Sequence, residues 1–341
     1  MITILVVFLV TSLISCIISF ICTMKINLVN STDNTAIRQI FETAEVVKDN
    51  TTILDKTFSL LSVSDFNLLL SKSNIIALLV ASILVGLAIN MSKEKGEPAK
   101  KVIDSFNEVI QNVVKIIMYY APIGIACYIA YLVGTLGKDI ATGFLKTFVI
   151  YCIVCILFYI VIYTVYAFVA GGKKGVRLFW KNQLPSCLTA LATCSSAASI
   201  PVNVTQAKKM GVSNDIAETT IPMGTSFHKD GSIIGSVFKI MFLVSLFGTD
   251  VSSFGSIMHI LVVALIANLL ITGVPIGGGT ISEMLILTMM GYPVEALPIL
   301  TVIATIIDAP ATALNVVGDT TSSMLVARIV DGKDWLKKVK E

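Results

Sequence analysis

The side chains best suited to bind a ligand lie near the C-terminal end of the chain, in the segment DAPATALNVVGD at 308–319. Helical spacing places four of them on one face, at i, i+4, i+7 and i+11: Asp308, Thr312, Asn315 and Asp319. Carboxylate, amide and hydroxyl oxygens in such a row replace the hydration shell of a cation and hold an ammonium group. A helix end capped by aspartates just outside a bilayer is the alternative, but the apolar run before Asp308 favours a position inside the membrane.

A second polar segment, GTSFHKDGS at 224–232, places His228, Lys229 and Asp230 side by side. The surrounding glycine, serine and threonine residues are typical of an unwound stretch within a membrane helix, which offers carbonyl groups to an ion. A short cytoplasmic loop is the alternative interpretation. Glu283 is a further carboxylate within apolar sequence. It could pair with Lys229, be protonated because burial disfavours its charged form, or cap a buried helix.

The chain that positions these residues is unusually apolar. Of its 341 residues, 55% are hydrophobic and 14% are charged, whereas an ordinary soluble domain is about a quarter charged. No Asp, Glu, Lys or Arg occurs at 147–170 or at 252–282, and each run exceeds the roughly 20 residues that cross a bilayer. We therefore predict an all-α polytopic protein surrounded by membrane lipid. The net charge of +3, without a basic stripe interleaved with aromatic residues, argues against a nucleic-acid partner.

The distribution of basic residues predicts two re-entrant hairpins. Lysine and arginine gather at 92–101, at 171–181, at 208–209 and at the C-terminus, so these regions are expected in the cytoplasm. Residues 184–206 have basic flanks at both ends and must therefore enter the membrane and return, with TCSSAASIP at 193–201 as the tip. The run 252–282 has external flanks and is interrupted by GVPIGGG at 273–279, which predicts a second hairpin from the opposite face.

Each predicted hairpin is followed by one of the two polar segments. Two hairpin-plus-broken-helix units that enter from opposite faces are the pattern of an inverted repeat, whose binding site lies near the membrane midplane. The sequence has no nucleotide-binding loop, Ser-His-Asp arrangement or zinc-ligand spacing. We therefore expect neither an enzyme nor a bound cofactor.

These motifs resemble those of the dicarboxylate/amino acid:cation symporter family, which includes the excitatory amino acid transporters and an archaeal aspartate transporter. TCSSAASIP is similar to the serine-rich tip of the family's hairpin 1, and PMGTSFHKDGS to the NMDGT region of its helix 7. GVPIGGG is similar to the tip of hairpin 2, and DAPATALNVVGD to the last helix. The resemblance starts midway through the family's third helix, so the first two and a half helices are expected to be missing.

The resemblance implies a homotrimer in the cytoplasmic membrane that works as an elevator-type secondary transporter. It would carry an amino acid or dicarboxylate together with Na⁺ or H⁺. Residues 1–24 would be the remnant of the third transmembrane helix. Residues 25–136 would form the scaffold and trimerisation helices, with an external loop at 25–72. Residues 142–341 would form the transport domain, with helix 6, hairpin 1, helix 7, hairpin 2 and helix 8.

The resemblance also implies roles for single residues. Asp308 would hold the α-amino group of the substrate and Asn315 its α-carboxylate. The other substrate-binding residues would be Ser195, Ser196, Gly277, Ala311 and Thr312. The cation-binding residues would be Gly224, Ser226, His228, Asp230, Asn315 and Asp319, with Na⁺ at Asp230, Asn315 and Asp319. A role in proton or charge coupling is expected for His228, Lys229 and Glu283.

Two departures from the family pattern change what is expected. Ala311 and Cys194 stand where members that carry acidic substrates have arginine, and burying an unpaired substrate carboxylate costs several kcal/mol. A small neutral amino acid is therefore expected, driven by Na⁺, H⁺ or both. The alternatives are a dicarboxylate or acidic amino acid paired with Lys229 or His228, or a truncated fragment that transports nothing. His228 and Lys229 also replace the asparagine and methionine of NMDG, so either a fixed ammonium would fill a sodium position or the histidine would carry a proton.

Overall fold

The computed structural model describes residues 1–29, 63, 65–70, 75–120, 138–269 and 278–336, together with single positions and pairs between 123 and 134. Within these residues the regular structure is helical. Four segments are long and apolar enough to cross a membrane: Ile2–Thr23, Ala141–Asn182, Asn214–Phe247 and Val294–Val330. The prediction of an all-α protein with several membrane-spanning helices is confirmed.

The described residues up to Asn182 form five α-helices. Helix α1 spans Ile2–Thr23, α2 spans Ile75–Met91 and the amphipathic α3 spans Glu97–Met118, with 3₁₀ turns at Phe66–Leu70 and Lys93–Gly96. Helix α4, Lys138–Leu157, continues through a π turn at Phe158–Ile162 into α5, Tyr163–Asn182. Within α5 the chain kinks at Gly171 and Gly172, because Gly172 has a φ of 60°, in the left-handed region that glycine enters without steric cost.

The first hairpin has the position that the basic flanks predicted. Helix α6, Leu184–Thr193, and helix α7, Ser196–Lys209, pack against each other. Cys194 makes the turn in the left-handed conformation, and Ser195 follows in an extended conformation. The Ser195 hydroxyl caps α7 by accepting a hydrogen bond from the backbone N–H of Ala198 at 3.2 Å. The turn at Cys194 thus ends the first arm, and Ser195 starts the second.

The helix that follows the first hairpin is broken, as the small polar residues predicted. Helix α8 spans Asn214–Phe227 and helix α9 spans Asp230–Phe247. Between them His228 and Lys229 leave the helical conformation, with φ values of −120° and −139°. This break turns the His228 side chain into the protein interior.

The second hairpin is followed by a continuous helix. The arms of the second hairpin are α10, Phe254–Leu269, and α11, Gly278–Met290, and they lie side by side. Gly277 and most of the tip at 273–279 fall outside the described residues. After a 3₁₀ turn at Val294–Ala296, helix α12 runs unbroken over 34 residues, Leu297–Val330. The prediction of a second broken helix was therefore wrong. Helix α12 continues through the half-buried Pro310, which has no N–H to offer the carbonyl group of Ile306.

Helix α12 is the centre of the fold. It packs against both arms of the first hairpin and against α1, α4, α5, α8, α9 and α11. Contact with α9 is close because glycine faces it: a Cβ atom on Gly231 would lie 2.2 Å from the carbonyl oxygen of Ala311. The polar face of α12 is thereby pressed against the broken helix, which brings the two predicted segments together.

Candidate cation and substrate site

The break between α8 and α9 places an imidazole between two carboxylates. Nδ1 of His228 lies 3.0 Å from Oδ1 of Asp319, and Nε2 lies 3.2 Å from Oδ1 of Asp230. All three side chains are fully buried. Buried charges require partners, and here residues from α9 and α12 meet through a residue of the break. The structure therefore joins the two segments that the sequence singled out.

The ring of His228 is enclosed on its other sides as well. The Phe8 ring stacks on it, with centroids 4.8 Å apart and planes 17° from parallel. The Thr11 hydroxyl oxygen lies 2.8 Å from Nε2. On one edge a Cβ atom added to Gly318 would lie 3.1 Å from Cε1 of the ring. The ring is therefore held by contacts from several directions.

Asp230 has further partners on α1 and α5. The Ser15 hydroxyl donates to its Oδ1 at 2.7 Å. The Tyr163 hydroxyl lies 3.1 Å from its Oδ2 and 2.7 Å from the carbonyl oxygen of Leu314, so its single proton serves one of the two acceptors. We did not predict Thr11, Ser15 or Tyr163 from the sequence.

One sequence signal was available for the α1 residues. Hydroxyl side chains recur every fourth position along this apolar helix and form one stripe, Thr11, Ser15, Ser19 and Thr23. All four are buried, and the Ser19 hydroxyl donates to the carbonyl oxygen of Ile234 on α9. No comparable pattern marks Tyr163.

Asn315 and Asp319 continue the row on α12. The Asn315 side chain binds Ser232 twice: its Oδ1 accepts from the Ser232 N–H at 3.2 Å, and its Nδ2 donates to the Ser232 hydroxyl at 3.0 Å. Oδ2 of Asp319 is buried and has no hydrogen-bond partner among the described residues. Lys229 lies within electrostatic range of Asp319. Gly224 also belongs here, since a Cβ atom on it would lie 2.3 Å from Oδ1 of Asp319.

The predicted substrate residues of α12 lie toward the start of its polar row, in the middle of the helix. Asp308 is exposed, whereas Ala311 and Thr312 on the next turn are buried. Asp308 and Asp319 are separated by three turns, or about 16 Å of helix. The polar row therefore begins at an accessible carboxylate and ends at a buried one.

The first hairpin reaches the same part of α12. Cys194 at its tip lies within electrostatic range of Asp308, and Ala190 of α6 packs on Ala313 and Val316. Asn203 of α7 donates to the Val316 carbonyl oxygen at 2.9 Å and accepts from the Thr320 hydroxyl. Ser195 and Ser196 are half-buried at this tip, and Ser226 is half-buried at the end of α8.

Glu283 has a different partner from the one that the sequence suggested. Its Oε1 lies 3.7 Å from the ammonium nitrogen of Lys239, and its Oε2 accepts from the Thr301 hydroxyl at 2.8 Å. The suggested ion pair with Lys229 is therefore wrong, because Lys229 lies in the break beside Asp319 whereas Lys239 lies more than two turns along α9, facing α11.

Comparisons with known proteins agree on one family. The sodium:dicarboxylate symporter family matches residues 1–329. Excitatory amino acid transporter 1 of Ambystoma tigrinum is 28% identical over 258 residues, which cover 75% of this chain and 47% of that protein. The human protein of the same name is 27% identical over an equally long stretch. Neutral amino acid transporter B(0) of Rattus norvegicus is 30% identical over 265 residues, or 76% of this chain and 47% of that protein.

The chain thus spans about half the length of the curated relatives that it matches. The family match nevertheless extends over both hairpins, the broken helix and nearly all of α12. It therefore includes the buried cluster of His228, Asp230 and Asp319 and the polar row on α12. On this basis the chain belongs to the sodium:dicarboxylate symporter family.

Proposed function

We propose that this chain is a multi-pass membrane transporter that carries a small amino acid by cation-driven symport. The observation that carries the proposal is the polar row on α12, which runs from the exposed Asp308 to the buried Asp319 and ends at the His228 cluster. One end is accessible to a substrate, and the other is lined by ionisable groups that water does not reach. Two linked sites of this kind suit the joint movement of a solute and an ion.

We propose that the substrate is bound at Asp308, Thr312, Asn315 and the tip of the first hairpin. The Asp308 carboxylate would pair with the substrate's ammonium group. Hydroxyl and backbone groups of Ser195 and Ser196, with the Asn315 amide, would bind the substrate's carboxylate. Gly277 is proposed as the contribution of the second hairpin, by the family resemblance alone.

The proposed substrate is an amino acid with a neutral side chain. Ala311 and Cys194 supply no charge for a second carboxylate. His228 is held by Asp230 and Asp319, and the charge of Lys229 acts on Asp319, so neither residue is a ready substitute for an arginine. These contacts weigh against the acidic alternative. The names of the relatives include both excitatory and neutral amino acid transporters.

The proposed driving ion is Na⁺, with Asp319 and Asn315 as central ligands and carbonyl groups near Gly224 and Ser226 completing the site. Oδ2 of Asp319 has no hydrogen-bond partner within the described segments, which supports this placement, because a buried carboxylate oxygen without a donor is stabilised by a cation. H⁺ is the alternative, with His228, Lys229 or Glu283 in the coupling role. We further propose the family's homotrimer in the cytoplasmic membrane, with residues 142–341 moving as an elevator against scaffold residues 25–136.

Substrate uptake by the reconstituted chain tests the proposal. Proteoliposomes would be offered labelled serine, alanine, aspartate and succinate, with a Na⁺ gradient and a pH gradient imposed separately. We expect uptake of serine and alanine that requires the Na⁺ gradient. Uptake of aspartate alone would overturn the neutral preference, and dependence on the pH gradient alone would replace Na⁺ by H⁺. Absence of uptake under every gradient would overturn the proposed symport.

A further inference from the structure

The buried carboxylate of Asp230 is already surrounded by polar groups of the protein. Its Oδ1 accepts from the Ser15 hydroxyl at 2.7 Å and lies 3.2 Å from Nε2 of His228. Its Oδ2 lies 3.1 Å from the Tyr163 hydroxyl. Helices α1 and α5 and the break before α9 each contribute one group. Neither oxygen of Asp230 is left without a polar neighbour.

The space beside Asp230 is also filled. A Cβ atom on Gly318 would lie 2.7 Å from Oδ2 of Asp230 and 3.1 Å from Cε1 of His228, so not even a methyl group fits on that edge. Phe8 covers a face of the ring. A cation between the two aspartates would have to displace the imidazole. This conclusion holds for either tautomer, because it depends on the volume of the ring and not on its protons.

Asp319 differs from Asp230 although both contact the same ring. Its Oδ1 faces Nδ1 of His228 at 3.0 Å, but its Oδ2 is buried without a hydrogen-bond partner in the described part of the chain. Of the two carboxylates, only Asp319 therefore retains an oxygen that a cation can use. The two aspartates look equivalent in the sequence, and their surroundings make them unequal.

We infer that the protein itself occupies the cation position at Asp230, through the ring of His228 and the hydroxyls of Ser15 and Tyr163, and that a coupling cation uses Asp319 without Asp230. The inference rests on the proposed cation-driven symport and makes it more specific. It gives His228 a role in ion stoichiometry, because the residue removes one cation site from the chain. The chain should accordingly bind one Na⁺ fewer than a variant in which this ring is absent.

Equilibrium binding of radioactive Na⁺ to the purified full chain in detergent tests this directly, at constant ionic strength maintained with choline chloride. We expect His228→Asn to bind one more Na⁺ per chain than wild type, because the smaller side chain frees both the space and Asp230. Asp230→Asn should bind as many Na⁺ as wild type, and Asp319→Asn one fewer. Gel filtration and thermal unfolding would establish that each variant is folded.

Two results would overturn the inference: loss of a bound Na⁺ in Asp230→Asn, or no gain in a folded His228→Asn. If His228→Asn does not fold, the comparison of Asp230→Asn with wild type still decides. A wild-type chain that binds no Na⁺ would overturn the assignment to Asp319, whereas a gain in His228→Asn would still support the occupation of Asp230. Binding is measured without transport, so a failure of uptake in liposomes would refute the proposed symport and leave this count as a separate result.

Discussion

The ammonium nitrogen of Lys239 lies 3.7 Å from Oε1 of Glu283, with both side chains almost completely buried. This ion pair joins the second arm of the second hairpin, α11, to α9, the helix that begins at Asp230. The Thr301 hydroxyl attaches the same carboxylate to α12. Lys239 is also within electrostatic range of Asp308. Helices α9, α11 and α12 therefore meet at one charged contact.

Removing one member of this pair should destabilise the protein far more than removing both. Lys239→Met or Glu283→Leu alone leaves a buried charge without its partner, which costs about 3–5 kcal/mol, whereas an apolar pair of similar volume is often neutral. We expect both single variants to unfold at clearly lower temperature than wild type in detergent. The double variant should recover most of the loss. Additive losses in the double variant would show that the two charges do not depend on each other.

Gly224→Ala should weaken cation binding at Asp319. The added Cβ atom would lie 2.3 Å from Oδ1 and 2.6 Å from Cγ of Asp319, so the carboxylate must leave its present position, in which it is bonded to His228. Loss of a hydrogen bond to a charged group is worth about 1.5–3 kcal/mol, and about 1.4 kcal/mol is a factor of ten in affinity. We expect the Na⁺ concentration for half-maximal uptake to rise at least about tenfold.

Gly86→Ala on α2 is the matched control, because a Cβ atom there meets no atom of the described part of the chain within 4 Å. It should leave the Na⁺ dependence unchanged. Equal Na⁺ dependence in Gly224→Ala and Gly86→Ala would contradict a role for the Asp319 carboxylate.

Asp308→Asn should separate substrates by whether they carry an ammonium group. The exposed carboxylate is proposed to pair with that group, and a charge-assisted hydrogen bond is about twice as strong as a neutral one. We expect alanine and serine uptake to fall by at least about tenfold. Any residual uptake of succinate, which has no ammonium group, should be unaffected. Asp331→Asn, just after the end of α12, is the control and should behave as wild type.

Ala311→Lys or Ala311→Arg should move the substrate preference toward aspartate. A positive charge one turn after Asp308 would pair with the second carboxylate of an acidic substrate and remove its desolvation cost. We expect the ratio of aspartate to alanine uptake to rise in both variants, and more in the arginine variant, because a guanidinium binds a carboxylate in two places. Ala311→Met, which adds bulk without charge, controls for size. A similar ratio in Ala311→Met would attribute the change to shape.

The elements that position the site were largely predictable from local patterns. Apolar runs between basic flanks indicated the first hairpin, and its turn falls at Cys194, between the predicted ends of the tip. The small residues around His228 and Lys229 indicated the break there. The helical spacing i, i+4, i+7 and i+11 placed Asp308 and Thr312 on a common face with Asn315 and Asp319. Each of these features depends on neighbours within a few residues, and such neighbours are visible in a sequence.

The partners across helices were not predictable in this way. Thr11 and Ser15 contact residues more than 200 positions later in the chain. Glu283 pairs with Lys239, whereas the sequence suggested Lys229. The continuity of α12 through Pro310 was likewise not predicted, because a proline within a run usually breaks or kinks a helix. The sequence by itself determined which segments are apolar enough to cross a membrane and which polar groups share a helix face, because composition and helical periodicity are local. Only the tertiary structure decided that His228 lies between Asp230 and Asp319 and that one oxygen of Asp319 has no hydrogen-bond partner among the described residues. Those contacts depend on how distant helices pack.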